Sequence, residues 1–128
     1  MILVDTSAWV EFLRATESPT DLRVQQALLG DIATCDAIRM ELLAGARNDE
    51  ELADLRGLLS RATTLPTEPI HYDDAALLYR RARATGNTVR RLVDCLIAAV
   101  AITHDVGLLH ADGDFTALAR CSRLRTVV

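Results

Sequence analysis

The sequence predicts an α/β protein of three layers, with a central parallel sheet of about four to five short strands carrying helices on both faces. Three observations predict it. Short apolar runs alternate with longer stretches of helical periodicity along the whole chain, the pattern left by repeated strand-to-helix crossovers. Half of the 128 residues are apolar but only 4% are aromatic, so Leu, Ile, Val and Ala must build the core, as expected of helices packed on a sheet. Residues 89–104 are apolar almost all round in their middle, which marks a buried central helix. The length suits one domain, residues 1–128, able to bury a real core.

The opening run Ile2, Leu3, Val4 reads as a buried strand ending at Asp5, with Thr6 and Ser7 as capping residues for a helix carrying Trp9, Val10 and Leu13. Thr20 or Asp21 starts a second helix bearing Leu22, Val24, Leu28 and Leu29, stopped at Gly30. Residues 32–35 form a weak second strand, and Asp36 caps a third helix closed by Gly45. A fourth helix, 48–61, has Leu52, Leu55, Leu58 and Leu59 at helical spacing. Strand-like residues 62–65 lead to a loop marked by Pro66 and Pro69, and 72–85 form a helix ended by Gly86 and Asn87. Thr88 then caps the central helix. A short strand at 107–109 delivers the segment 110–114, a last helix carries Phe115, Leu118 and Ala119, and residues 124–128 supply a closing strand.

Composition narrows the chemistry. All fourteen basic residues are Arg, which removes Schiff-base chemistry and Walker-type phosphate binding, since both need a Lys. The net charge of −4 argues against a broadly basic nucleic-acid surface, yet Arg80, Arg81, Arg83, Arg90 and Arg91 form a dense local basic segment, either an RNA-binding face or a solvated helix face. Cys35, Cys95 and Cys121 are odd in number, lack a C-x-x-C pair and lie in or beside apolar stretches, so free thiols in a reducing cytosol are expected. The longest apolar run is too short to span a bilayer and the N-terminus has no basic flank, from which a cytoplasmic protein without signal peptide or membrane partner is expected.

Four widely separated acids stand where the pattern favours something apolar or neutral. Asp5 ends the first strand, at the edge where open α/β sheets place ligands, although an acid there serves equally well as a helix cap. Asp112 and Asp114 follow the 107–109 strand in the same relation. Glu41 shares a helix stripe with Ala37, Ile38, Ala44 and Gly45, where a charge is expensive unless paired or metal-bound. Asp94 heads the apolar block of the central helix, with an ion pair to Arg90 or Arg91 as its structural alternative. Such acids repel one another unless a cation compensates them. His71, His104 and His110 show no spacing for a metal-free histidine pair, and surface or loop positions account for all three.

The opening Ile2-Leu3-Val4-Asp5-Thr6-Ser7-Ala8-Trp9, the mid-chain Met40-Glu41-Leu42, the block Asp94-Cys95-Leu96-Ile97-Ala98-Ala99 and the ending His110-Ala111-Asp112-Gly113-Asp114-Phe115 together resemble the PIN domain. More narrowly, they resemble the VapC-type toxins of bacterial type II toxin-antitoxin pairs. The resemblance implies a Mg²⁺- or Mn²⁺-dependent endoribonuclease that cleaves RNA to leave a 5′-phosphate and a 3′-hydroxyl. It places the catalytic, metal-binding acids at Asp5, Glu41, Asp94 and Asp112, with Asp114 as an accompanying acid and Thr6 or Ser7 helping to hold metal or water. It also implies a VapB-type antitoxin as partner, growth inhibition until neutralised, and a homodimer. His110 stands where many relatives carry a hydroxyl. Carboxylates suit the chemistry independently, because hard divalent cations take oxygen ligands.

Two other readings are set against it. A haloacid-type phosphatase or receiver domain needs a Lys, and the phosphatase also needs an acid where Ser7 stands. A binding module would use the acidic pocket to accept a basic residue of a partner.

Overall fold

The computed structural model describes residues 1–127. Among these, five short strands alternate with seven helices: β1 (Ile2–Val4), α1 (Thr6–Leu13), α2 (Pro19–Ala27), β2 (Ile32–Thr34), α3 (Asp36–Ala44), α4 (Asp49–Leu59), β3 (Thr63–Thr64), α5 (Pro69–Ala84), α6 (Leu92–Thr103), β4 (Gly107–Leu109), α7 (Gly113–Cys121) and β5 (Thr126–Val127). The strands form one sheet in the order β3-β2-β1-β4-β5, and every pairing is parallel. The expected closing strand is therefore present through Val127; Val128 lies outside the described residues.

Strand order dictates the layers. From β1 the chain steps outward to β2 and β3, then crosses back to β4 and steps the other way to β5. Right-handed crossovers made in opposite directions put α1–α4 on one face and α5–α7 on the other. The packing agrees: α1 touches α2 and α3, α3 touches α4, and α5, α6 and α7 touch one another. The reversal lies between β1 and β4, so the carboxyl ends of these two strands flank the crevice where open sheets bind ligands.

The core follows the apolar pattern. Leu3, Val4, Ala33, Leu108 and Leu109 are buried in the sheet, with Trp9, Ile38, Ile97, Val100, Phe115 and Leu118 packed from the helices. Residues 97–101 of α6 are all buried, as its all-round apolarity requires. Trp9 is a core residue, edge-on to Phe12 at 6.0 Å between ring centroids. Cys35 and Cys95 are buried free thiols and Cys121 is a half-buried one.

Several element starts differ from expectation, each because a different group supplies the cap. Asp5, rather than Thr6 or Ser7, caps α1 by accepting the Ser7 amide. Ser18 caps α2, with Pro19 preset for the first helical position, so this helix begins before Thr20 and Asp21. Cys35 occupies the N-cap of α3 and Asp36 lies in its first turn. Pro69 likewise starts α5 earlier than Tyr72, where the His71 ring accepts the Glu68 amide at 2.8 Å. The central helix starts later, at Leu92, and Thr88 does not cap it: the Asp114 carboxylate accepts the Arg90 and Arg91 amides at 3.0 and 3.1 Å and holds this segment extended.

The histidines also differ from expectation. His71 is buried at 2% exposure, and its ring lies 6.0 Å from that of half-buried His104. That pair joins the start of α5 to the end of α6. Ten residues at the helical rise separate it from Asp94 by roughly 15 Å along α6, so it cannot serve chemistry at the acids.

Phe115 anchors α7 in the core with no exposed surface. Phe115→Ala is expected to lower unfolding free energy by about 3–5 kcal/mol, measured by urea denaturation.

Candidate active site

Register brings the first two acids together. Val4 of β1 pairs with Leu109 of β4, and the Asp5 amide donates to the Leu109 carbonyl at 2.9 Å, so both strands end at the same level. Asp5 then opens α1, and after two loop residues Asp112 opens α7 as its N-cap, accepting the Asp114 amide at 2.9 Å. The capping and functional readings of these acids turn out to be compatible. Capping engages Oδ2 of Asp5, while its Oδ1 is buried without a hydrogen-bond partner.

Ser7 locks the two strand ends to each other. Its hydroxyl donates to Asp5 Oδ2 at 2.6 Å and accepts the Ala111 amide at 2.9 Å. Thr6 acts on the other side, donating to Glu41 Oε1 at 3.0 Å. The two hydroxyls next to Asp5 thus orient acids, one on each flank.

α6 brings in the third acid. Asp94 lies in its first turn at 2% exposure, with Oδ2 unpartnered and Oδ1 3.5 Å from Arg91 Nη2. The same Nη2 pairs with Glu41 Oε2, so one guanidinium ties α3 to α6. Asp94, Asp112 and Asp114 each offer an oxygen within 4.8 Å of the others. Asp114 is equally buried, but Arg90 holds it through backbone and guanidinium, while Arg90 Nη2 also reaches Asp112 at 2.9 Å. Asp5, Ser7, Arg91, Asp94 and Asp112 line one crevice of about 350 Å³.

Burial and crowding set the protonation. Desolvation, a hydrogen bond with Asp114 and the neighbouring Asp5 and Asp112 push the Asp94 carboxyl up to about 8, against the pull of Arg91. Burial raises Asp5 as well, opposed by its bonds from Ser7. For Asp114 burial acts upward but is outweighed by hydrogen bonds from Asp94, the two arginine amides and the Arg90 side chain, which leave it below the usual carboxylate range. His110, 5.2 Å from the Phe115 ring, is lowered by burial despite nearby Asp112 and is neutral at pH 7.

All the expected acids thus reach the same end of the sheet, with Glu41 on the flank beyond Arg91. The basic segment divides. Arg90 and Arg91 are paired with acids, whereas Arg80, Arg81 and Arg83 are exposed on the last turns of α5, Arg83 standing 5.6 Å over the Tyr79 ring. The ion pair weighed for Asp94 is present, to Arg91; what the sequence did not reveal is that Arg90 clamps Asp112 and Asp114 and that Arg91 also reaches Glu41. The available signal was their position three and four residues before an acid that had no cap to serve.

An α/β/α domain with acids gathered at the switch point of a parallel sheet defines the class to which the comparisons point: the PIN domain family model matches residues 2–120. The chain belongs to the PIN-domain family, on its VapC branch. Ribonuclease VapC11 of Mycobacterium tuberculosis is 43% identical over 129 residues, covering 98% of this chain and 96% of the relative. Ribonuclease VapC19 of the same species is 39% identical, covering 85% and 86%. Among solved structures, VapBC2 from Rickettsia felis bound to a promoter DNA fragment superposes with a TM-score of 0.77 at 18% identity, covering 99% of this chain and 98% of that one. VapC20 of M. tuberculosis, described as a sarcin-ricin loop cleaving toxin, gives 0.70 at 19% identity, covering 98% and 99%.

Two outcomes follow from the geometry. Because the folded-state carboxyl of Asp94 is raised, its burial is tolerated at low pH and opposes folding as pH climbs from about 4 through 8. In EDTA, Asp94→Asn should therefore melt above the wild type at pH 8, with the gap closing by pH 5. Ser7→Ala should lower stability by about 1–3 kcal/mol, read from urea unfolding, because Asp5 and the Ala111 amide lose a shared partner in one step.

Proposed function

We propose that residues 1–128 act as a single PIN domain, a divalent-metal-dependent endoribonuclease that serves as the toxin of a toxin-antitoxin pair. The observation that carries the reading is the pair of buried, unpartnered carboxylate oxygens, Asp5 Oδ1 and Asp94 Oδ2, on residues lining one crevice with Asp112. A buried acid oxygen without a donor is costly unless a cation meets it, and an all-oxygen set suits Mg²⁺ or Mn²⁺. Asp5, Asp94 and Asp112 would hold the ion, with Glu41 completing the site and Asp114 braced behind it. A divalent cation there supplies positive charge for phosphate oxygens and acidified water for attack.

The chain's own groups prepare the rest. Ser7 and Thr6 fix the rotamers of Asp5 and Glu41, so the acids need no reorganisation when a phosphodiester arrives. Asp94 carries at neutral pH a proton it can release as positive charge approaches. Arg80, Arg81 and Arg83 supply an exposed basic face for RNA beyond the cleaved bond, contacting backbone rather than reading bases.

The relatives support a protein partner. Solved neighbours include toxin-antitoxin assemblies, which supports a VapB-type antitoxin here. A groove of about 560 Å³ beside the acids, lined by Val10, Leu13, Leu42, Leu55 and Leu58 together with Thr6 and Glu41, offers it an apolar seat. A second apolar depression bears Met40, Tyr72 and Leu92, each more than half exposed, and supports a homodimer. Among the described residues no helix is long and apolar enough to cross a membrane; we place the protein in the cytoplasm, where its RNA substrate and translation, the process it would inhibit, are found.

The test is cleavage of labelled RNA with Mg²⁺, Mn²⁺ or EDTA by wild type and Asp5→Asn. We expect metal-dependent cleavage and a loss of ~100-fold or more in the variant, the scale of removing one group from a preorganised site. Equal cleavage by both would identify a contaminating nuclease and overturn the assignment. Mn²⁺ should also raise the melting temperature of the wild type and leave that of Asp94→Asn unmoved.

A further inference from the structure

Arg91 stands apart from the other charges at the crevice. Its Nη2 bridges Glu41 Oε2 and Asp94 Oδ1, two acids on different helices, and these lone pairs are ones a divalent cation would also seek. Arg90 is held differently. Its backbone amide, Nε and Nη2 all engage Asp112 or Asp114, so its side chain is pinned to the start of α7 by the main chain it belongs to. The Arg91 amide is likewise fixed on Asp114, but its side chain is held through Nη2 alone and, half-exposed, has solvent to swing into.

We infer that Arg91 is an internal competitor for the metal: its guanidinium occupies Glu41 Oε2 and stands against Asp94 Oδ1 until a divalent cation displaces it to the rim of the crevice. Two like charges a few Å apart repel, so the guanidinium and the ion cannot both rest against Asp94. A half-buried carboxylate such as Glu41, set beside other acids, is costly without a counter-charge, and either the guanidinium or the ion supplies it. Exchange between them lets the site stay folded at low metal and load without rearranging the backbone, because the Arg91 amide keeps its bond to Asp114 throughout. Once displaced, the guanidinium presents a planar fork at the mouth of the crevice, shaped for a phosphate group. Arg91 is thus a positioning residue that sets metal affinity, and the inference rests on the metal reading given above.

Calorimetric titration of Mn²⁺ into wild type, Arg91→Gln and Arg91→Lys tests this directly, without any activity measurement. Removing a unit charge beside the ion should tighten Mn²⁺ binding by about tenfold in Arg91→Gln, while Arg91→Lys, which keeps the charge, should stay near the wild type. The gain should shrink as NaCl is raised. A second measurement needs no charge-removing variant: in the wild-type protein the Arg91 Nη–H signals, assigned with Arg91→Lys, should lose their protection from solvent exchange on saturation with Mg²⁺. Unchanged or weaker Mn²⁺ binding by Arg91→Gln, or an Arg91 signal indifferent to Mg²⁺, overturns the competition while leaving the metal site standing. A wild type that takes up no Mn²⁺ overturns both.

Discussion

Everything at the carboxyl edge of this sheet is arranged around one constraint: several carboxylates must be buried side by side. Each desolvated acid raises the cost of ionising the next, which is why Asp94 is pushed up to about 8. The surrounding architecture consists of answers to that cost. Asp5 and Asp112 recover part of it as helix caps, Asp114 by taking two backbone amides, Glu41 by pairing with Thr6 and Arg91. Even the late start of α6 belongs here, since its entry residues lend their amides to an acid on α7 instead of continuing the helix.

The same constraint explains which parts of the structure were legible in the sequence. Alternating strands and helices, the buried middle of α6 and the two strand-end acids were readable because period and position are local properties of the chain. The sheet order was not, since nothing local says that β4 lies beside β1. Helix starts failed in an instructive way. The caps of α1 and α2 lie one to three residues ahead of those expected, and the segment before α6 departs from expectation because its amides are taken by Asp114, twenty-odd residues onward. A local rule cannot see a distant donor or acceptor.

The basic segment teaches the converse lesson. Five arginines within twelve positions look like one feature, yet the fold splits them into three exposed on α5 and two folded into the acids. Spacing alone cannot separate a surface patch from a counter-charge. What distinguishes them is that Arg90 and Arg91 lie in the extended stretch just before α6, where both backbone and side chain can turn toward the crevice.

The Ser7 hydroxyl joins Asp5 to the Ala111 amide across 104 residues of sequence. Parallel pairing of β1 with β4 imposes the same separation on the strands themselves. During synthesis, therefore, the first acid emerges from the ribosome long before the segment that completes its surroundings. A nascent chain can form β1, α1 and β2 and still have no assembled crevice. The hazard of a nuclease acting beside the machinery that makes it is thereby deferred, by topology alone, until the segment bearing β4 and Asp112 has been released.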